Sequence, residues 1–496
     1  MDCRSGRRSA MAGTATVVVR QRKISRATAR FSSRMIYVYA AVAEQAAGTP
    51  DEQWVLGWGY EEILLGGHPD ADALDRASGG RPVWLFQASH HGGSASRSAL
   101  RRAGVDEGHE VPTIDGGHIA VDRDGRPTGV LAERAMALIY TRIRPFPYED
   151  QVQAIGLACR AAAAKGLTSV TEPGIAGQST GNAATDLAAF QTARDRDLLG
   201  IRVTVMPEIS ALHDLDSAAP GCEGFGLDLG LRSGLGDDRL RIGGVKVFSD
   251  GAMTMRTAAM CCDYTDTPGQ RGYLLDDADV LRRRILRAAR AGWQVATHAI
   301  GDLAVETVLA AYEEARAVAP HNRLRHRIEH VGLASDDQIK RMVAADVIPV
   351  PQGRFLDELG HNYLRAVGEE RGQLLYRQGG FVDAGLELPG SSDCPIADGS
   401  PLLGMHALVN REIPGGQVLN PAERLTPAQA LRAYTYGSAY ADHQEHRKGT
   451  LARGKLADFV ALTDDLLQIA PDRIGGIGVT ATVIGGRIRH GDITTR

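Results

Sequence analysis

Cysteine is scarce in this chain, with six residues in 496, at positions 3, 159, 222, 261, 262 and 394. None of them forms a C-x-x-C pair, and no spacing suggests a disulfide framework or a zinc ribbon, so a reducing, cytoplasmic compartment is expected. Long apolar runs are missing as well. Arg, Lys or Gly cuts the alanine-rich stretches every few positions, well short of the ~18 uninterrupted apolar residues that span a bilayer, and no membrane partner is expected. There is no visible internal repeat, which sets aside solenoids and propellers. One absence is chemical: among fifteen histidines no two are separated by a single residue, so an H-x-H pair occurs nowhere.

What is present describes a globular chain. It is 43% apolar and 23% charged, enough to build a core and too little charge for intrinsic disorder. The net charge of −4 is uneven, because residues 1–34 hold eight Arg and one Lys against the single acid Asp2. That head resembles a targeting segment only weakly: Arg7 and Arg8, a short Ala/Val run, then Arg20 with no small-residue cleavage site. It lacks the interleaved aromatics of a nucleic-acid arm, and the acidic body would repel phosphates, so no nucleic-acid partner is expected.

The body alternates between helical and extended patterns. Val152, Ile155, Cys159 and Ala162 share one helical face that ends at Gly166, and TSVTEP (168–173) follows as a strand. RVTVMPE (202–208), IGGVKVFSDG (242–251), WQVATHAIGD (293–302), RHRIEHV (325–331), VIPVPQG (347–353) and LELPGSSDCP (386–395) are the further expected strands. Between them run helices through Leu281, Ile285 and Ala289, through Val305, Val308, Leu309 and Tyr312, and through Ile339, Met342 and Val343. Ser335 with Gln338, and Thr426 with Pro427 and Gln429, are capping patterns for two helix starts, the second helix running toward Ala439. Short apolar strands between amphipathic helices indicate an α/β fold with a parallel sheet buried on both faces, either doubly wound or closed as a (β/α)8 barrel. Asp124-Gly125 marks a β-hairpin within 112–131. The glycine-punctuated stretches 449–465 and 479–492 suggest a small antiparallel β element.

Four residues near expected strand ends carry the chemistry. Lys246 shares a pleat face with Phe248, and a lysine buried there is costly unless paired, deprotonated or chemically altered, although an ammonium reaching solvent at the strand end is the plainer reading. His298 and His330 each end a strand, and Asp393 follows Gly390-Ser391-Ser392. Singly, each imidazole is more often a hydrogen-bonded core histidine than a ligand, and an aspartate there is a routine helix cap. Together they shift the balance toward a divalent metal, imidazole and carboxylate being donors suited to zinc.

GVKVFSDGAMTMRTA (244–258), THAIGD (297–302), RHRIEH (325–330) and GSSDCP (390–395), in that order, resemble the metal-dependent amidohydrolase superfamily. More narrowly they resemble its amidohydrolase-3 group, which includes N-substituted formamide deformylase. WVLGWGYEE (54–62), GLTSVTEPG (166–174) and GTLARGKLADFVAL (449–462) extend the likeness from about Val38 to about Arg489. The resemblance implies a (β/α)8 TIM-like barrel, its first strand missing or altered, with a small β-sandwich remnant from the C-terminal segment. It divides the chain into a basic head (1–37), a barrel with a hairpin insertion (38–448) and a small β element (449–496).

By the same resemblance Lys246, carbamylated in many relatives, His298, His330 and Asp393 are the metal set. Lys246 and Asp393 are the catalytic residues, and Asp393 moves the proton of the attacking water. His91 and Asp250 are assigned to substrate. The implied activity is hydrolysis of a non-peptide carbon–nitrogen bond, such as an N-acyl or N-formyl amine, by metal-activated water. The implied partner is a small-molecule substrate, and a homo-oligomer is left open by the sequence. The chain departs from the group in lacking H-x-H and in carrying Ser96-Arg97 where relatives have Asn-Ser. Two alternatives therefore stand beside the hydrolase: a truncated, catalytically inactive barrel, and a mononuclear ring aminohydrolase. The head is expected not to be the natural start of the enzyme, and the C-terminal β element is expected to lack its sheet partners. His443 and His446 are expected in a solvated polar stretch.

Overall fold

The computed structural model describes residues 14–18, 32–105, 110–177, 182–216 and 222–493. Most of the basic head lies outside the described residues. The chain divides into two compact units, Met1–Phe146 and Pro147–Arg496.

The first unit is built on a six-stranded sheet of β1 (Thr14–Val18), β2 (Trp54–Tyr60), β3 (Val83–Gln87), β4 (Gly92–Ala95), β5 (Gly117–Val121) and β6 (Pro127–Glu133), in the order 1-2-3-4-6-5. The first three strands pair in parallel and the rest antiparallel. Alternate residues of β2 and β3 serve two cores. Val55, Val83 and Leu85 pack with Val38, Val42 and Leu74 of helices Ser32–Ala47 and Ala71–Ser78, while Leu56, Trp84 and Phe86 pack with Ile139 and Tyr140. Strands covered on both faces read as continuous apolar runs, as WVL and VWLF do. The expected hairpin forms, with Asp122 Oδ1 accepting from the N–H groups of Asp124 and Arg126 (2.9 Å each) and Gly125 in the left-handed region. Arg97, the odd residue of its motif, is spent on structure: it forms a two-point ion pair with Asp72 and donates to Pro127 O.

The second unit carries a parallel run of strands alternating with helices. β7 (Ser169–Ile175), β8 (Arg202–Pro207) and β11 (Leu240–Ile242) form one ladder; β12 (Val245–Phe248), β13 (Val295–Ala299), β14 (Arg327–His330) and β15 (Ile348–Val350) form the next. A two-strand ribbon, β9 (His213–Asp214) with β10 (Phe225–Gly226), lies between β8 and β11 in sequence. Gly243-Gly244 lets one stretch of chain pair with β8 and then with β13. A Cβ at Gly243 would stand 2.5 Å from Thr204 Cγ2, and one at Gly244 2.9 Å from Gln294 O. A parallel bridge from Glu208 to Lys246 continues the pairing across this junction.

The helices sit where the apolar periodicity puts them. Helix Asp302–Val318 buries Val305, Val308, Leu309 and Tyr312, and the Tyr312 hydroxyl lies 2.7 Å from Thr297 Oγ1 on β13 and 2.8 Å from Arg327 O on β14, bolting helix to sheet. Both capping boxes form, at Ser335/Gln338 and Thr426/Gln429. The second helix reaches Ala441 through a widened π-type turn at Ala433–Gly437.

One expected strand is absent. Residues 386–395 join no ladder, because Pro389 and Pro395 have no N–H to give and Gly390 N–H is bonded instead to Ala433 O at 2.7 Å. A Cβ at Gly390 would meet the Tyr434 ring at 2.4 Å, so this segment is packed against a helix rather than a strand.

The C-terminal segment forms its own antiparallel sheet, β16 (Phe459–Leu462), β17 (Val479–Ile484) and β18 (Arg487–Gly491). Among the described residues it pairs with no other sheet, and side chains tie it to the rest of the second unit. Arg202 makes a two-point ion pair with Asp458 at 2.6 and 2.8 Å, both side chains nearly inaccessible, and Thr482 Oγ1 donates to Ala163 O at 2.7 Å. The solvated reading of His443 is overturned: the ring is half-buried and its Nε2 accepts the Arg325 N–H at 3.1 Å. His446 is exposed.

Candidate active site

Lys246 is the second residue of β12, and pleat alternation places its side chain with that of Phe248. Its Nζ lies 4.8 Å from the centre of the Phe248 ring, with the residue 4% exposed. Burial pushes the ammonium below the usual lysine range; Glu329 and Asp393 oppose that shift without cancelling it. The lysine is thus closer to its neutral, nucleophilic form than a surface lysine.

His298 occupies the fourth position of β13, opposite Phe248 in register, and its ring packs on that phenyl at 5.7 Å. Its Nε2 is 3.1 Å from Gly251 O and 3.3 Å from Asp250 Oδ1. Both neighbours accept, so Nε2 carries the proton and Nδ1 is the ring's acceptor nitrogen. Asp250 itself is fully buried. Its carboxylate accepts from the backbone N–H groups of Ala259 (3.0 Å), Ile300 (3.1 Å) and Gly301 (2.9 Å), tying the loop after β12 to the exit of β13.

His330 closes β14 with a left-handed backbone (φ 76°), as does Val331 after it (φ 44°). This turn takes the imidazole out of the strand's alternation and sets it edge-to-face on His298, ring centres 4.5 Å apart. Gln352, past the end of β15, fixes its tautomer. The Gln352 amide nitrogen donates to Val350 O (2.7 Å) and Ser391 Oγ (3.2 Å), so Oε1 faces His330 Nδ1 at 2.6 Å and must accept from it. The acceptor nitrogen is then Nε2. Burial, with Lys246 nearby, holds His330 below the ordinary histidine range. Glu329 is buried too, but Arg327, at 2.7 and 3.0 Å, and Lys246 keep its carboxyl ionised below the usual range.

Asp393 stands in a left-handed turn (φ 55°) at the end of the 386–393 segment and is half-buried. No hydrogen bond to its carboxylate is found among the described residues, yet its charge acts on Lys246, His330 and Glu172. Glu172, on β7, is open to solvent but surrounded deeply enough that desolvation, helped by Asp186 and Asp393, pushes its carboxyl up to about 7. Phe355 stacks on His330 at 6.0 Å, with Tyr363 and Tyr376 beyond it.

Lys246, His298, His330 and Asp393 all belong to the second unit, and ring contacts and electrostatics bring them into one neighbourhood. His91 lies in the first unit, where its Nδ1 is 2.9 Å from the buried carboxylate of Glu133. Among the described residues no three His, Cys, Asp or Glu side chains converge as a metal cage. The chemistry of the imidazole pair suits a divalent ion: each ring gives its second nitrogen to a carbonyl, amide or carboxylate oxygen, the support that metal-ligating histidines have. Gln352, Glu329 and Glu172 were missed by the sequence reading. Gln352 lies inside the quoted strand VIPVPQG, but nothing in the pattern marks an amide as a histidine's partner.

A model of the amidohydrolase family matches residues 33–490, and the chain belongs to that family. The class is that of hydrolases, on a TIM-barrel-like α/β fold. The chain is 28% identical to N-substituted formamide deformylase of Arthrobacter pascens over 91% of its own length and 82% of the relative's. It is 29% identical to the protein LONG AFTER FAR-RED 3 of Arabidopsis thaliana, over 90% and 75%. An uncharacterized metal-dependent hydrolase from Pyrococcus horikoshii OT3 superposes with a TM-score of 0.67 at 26% identity, covering 89% of this chain and 85% of that one. No helix among the described residues is long and apolar enough to cross a membrane.

Proposed function

We propose that this protein hydrolyses the carbon–nitrogen bond of a small N-acyl or N-formyl amine, with a divalent ion, zinc by donor type, held by His298, His330 and Lys246. The observation that carries the reading is the edge-to-face pair of His298 and His330, each oriented by an oxygen acceptor. The similarity to a formamide deformylase supports the choice of bond. A bound ion would lower the pKa of a water and polarise the amide carbonyl. Lys246, buried and held below the usual lysine range by desolvation, suits carbamylation, which would turn a costly buried cation into an anionic donor.

Asp393, whose carboxylate accepts no hydrogen bond among the described residues, takes the proton from the attacking water and delivers it to the departing nitrogen. Asp250 acts through His298 and the loop it ties down, as a positioning residue rather than a substrate contact. His91, oriented by Glu133, is assigned to hydrogen bonding with substrate on its chemistry. The parallel ladders β7–β8–β11 and β12–β15 belong, in this reading, to a (β/α)8 barrel, and β16–β18 to a composite sandwich.

The test is release of primary amine from N-formyl and N-acetyl amines by the full chain loaded with zinc, with Asp393→Asn as the control. Turnover that disappears in the variant supports the assignment. A protein that keeps zinc yet shows no turnover on either class of amide is the inactive barrel instead.

A further inference from the structure

The loop after β12 carries the only adjacent cysteines in the sequence, Cys261 and Cys262, and neither takes part in the chemistry above. Their sulfurs are 3.2 Å apart and both residues are exposed. Each thiol has its own fixed partner. The Cys261 N–H donates to Asp302 Oδ1 and its thiol to Asp302 Oδ2, both at 2.8 Å. Arg371, on helix Arg354–Gly372, donates to Cys262 Sγ at 3.3 Å and to Asp263 O at 2.7 Å. Burial and the facing carboxylate hold the proton on Cys261, pushing that thiol up to about 12, while a guanidinium faces Cys262 and leaves it as the attacking sulfur.

We infer that Cys261 and Cys262 form a reversible oxidation site, closed to a vicinal disulfide by hydrogen peroxide. The Cys262 sulfur attacks one peroxide oxygen, the O–O bond breaks, water leaves, and Cys262 becomes a sulfenic acid. The Cys261 sulfur then displaces the sulfenic hydroxyl, its proton leaving with that hydroxyl as a second water, and the S–S bond forms. Two thiols lose two electrons and two protons, and one peroxide becomes two waters. Adjacent Cα atoms stand about 3.8 Å apart, short of the about 4.4–6.8 Å that disulfides prefer, so the bond is strained and readily reduced. That lability suits a reversible mark rather than a structural staple. The loop that carries the pair is the one whose Ala259 N–H holds Asp250, so oxidation acts on a segment already fastened beneath His298.

The full-length protein provides its own controls, because Cys222 and Cys394 are exposed single thiols. Graded hydrogen peroxide, then iodoacetamide and peptide mass spectrometry, should show the Cys261–Cys262 peptide lighter by two hydrogens and closed to alkylation. This should occur at peroxide levels on the order of tenfold below those that modify Cys222 or Cys394, with recovery after dithiothreitol. Phenylarsine oxide, which needs two neighbouring thiols, should protect both sulfurs in the untreated protein. In Cys261→Ser, Cys262 should instead accumulate as a sulfenic acid trapped by dimedone. Oxidation of the pair no faster than of Cys222 and Cys394, or straight to sulfinic acid without an S–S intermediate, overturns the inference.

Discussion

Gln352 Oε1 lies 2.6 Å from His330 Nδ1, and the amide cannot turn over because its nitrogen is committed to Val350 O and Ser391 Oγ. One neutral side chain therefore decides which nitrogen of His330 can act as a ligand. Gln352→Leu, similar in volume, removes that acceptor. Metal retention or turnover should fall about 10–100-fold, with Gln352→Glu keeping the larger share of both. Elemental analysis and kcat, alongside a thermal melt, check this.

The absence of H-x-H limits the number of ions. Purified protein should hold at most about one tightly bound divalent ion per chain, and His330→Ala should lower that content. Asp393→Asn should reduce turnover far more than metal retention. Two full equivalents measured by elemental analysis would contradict the assignment.

Two histidines away from the site make stability depend on pH. His326 Nδ1 accepts the Val295 N–H at 3.1 Å and His443 Nε2 accepts the Arg325 N–H. Burial first, then His443 for His326 and Arg325 for His443, holds each down to about 4. Because the unfolded chain takes up these protons near pH 6.5 and the folded one does not, the contribution of these two histidines to folding free energy should be flat above that value and decline as pH falls toward 4. His326 alone accounts for about 3 kcal/mol across the window. Urea unfolding at a series of pH values should show the decline, and His326→Gln should flatten it.

The Arg202–Asp458 pair is a buried link to the C-terminal sheet. Asp458→Ala leaves a buried guanidinium unpaired and should cost about 3–5 kcal/mol. It also removes the acceptor for the Gly485 N–H. Hydrogen exchange in β17 should then accelerate relative to β13, whereas in the parent protein the two strands should be protected to a similar degree.

The sequence alone determined the strands that carry Lys246, His298 and His330, the two capping boxes, the hairpin at Asp124-Gly125, and the placement of Lys246 on the Phe248 face. All of these follow from local periodicity, capping and turn chemistry, which act within a few residues. Family membership was legible too, since its motifs are contiguous words. Tertiary structure decided the rest. The left-handed turn at His330, which carries its ring onto His298, has no local signature in a non-glycine residue. The pairing of His330 with Gln352 spans 22 residues and that of Arg202 with Asp458 spans 256. The 386–395 segment looked like a strand because its apolar alternation is local, and became a helix-packed stretch because its hydrogen-bond partner, Ala433 O, arrives from more than forty residues away. A pattern in sequence reports what a residue prefers; which groups satisfy its hydrogen bonds and charges is settled only when distant segments meet.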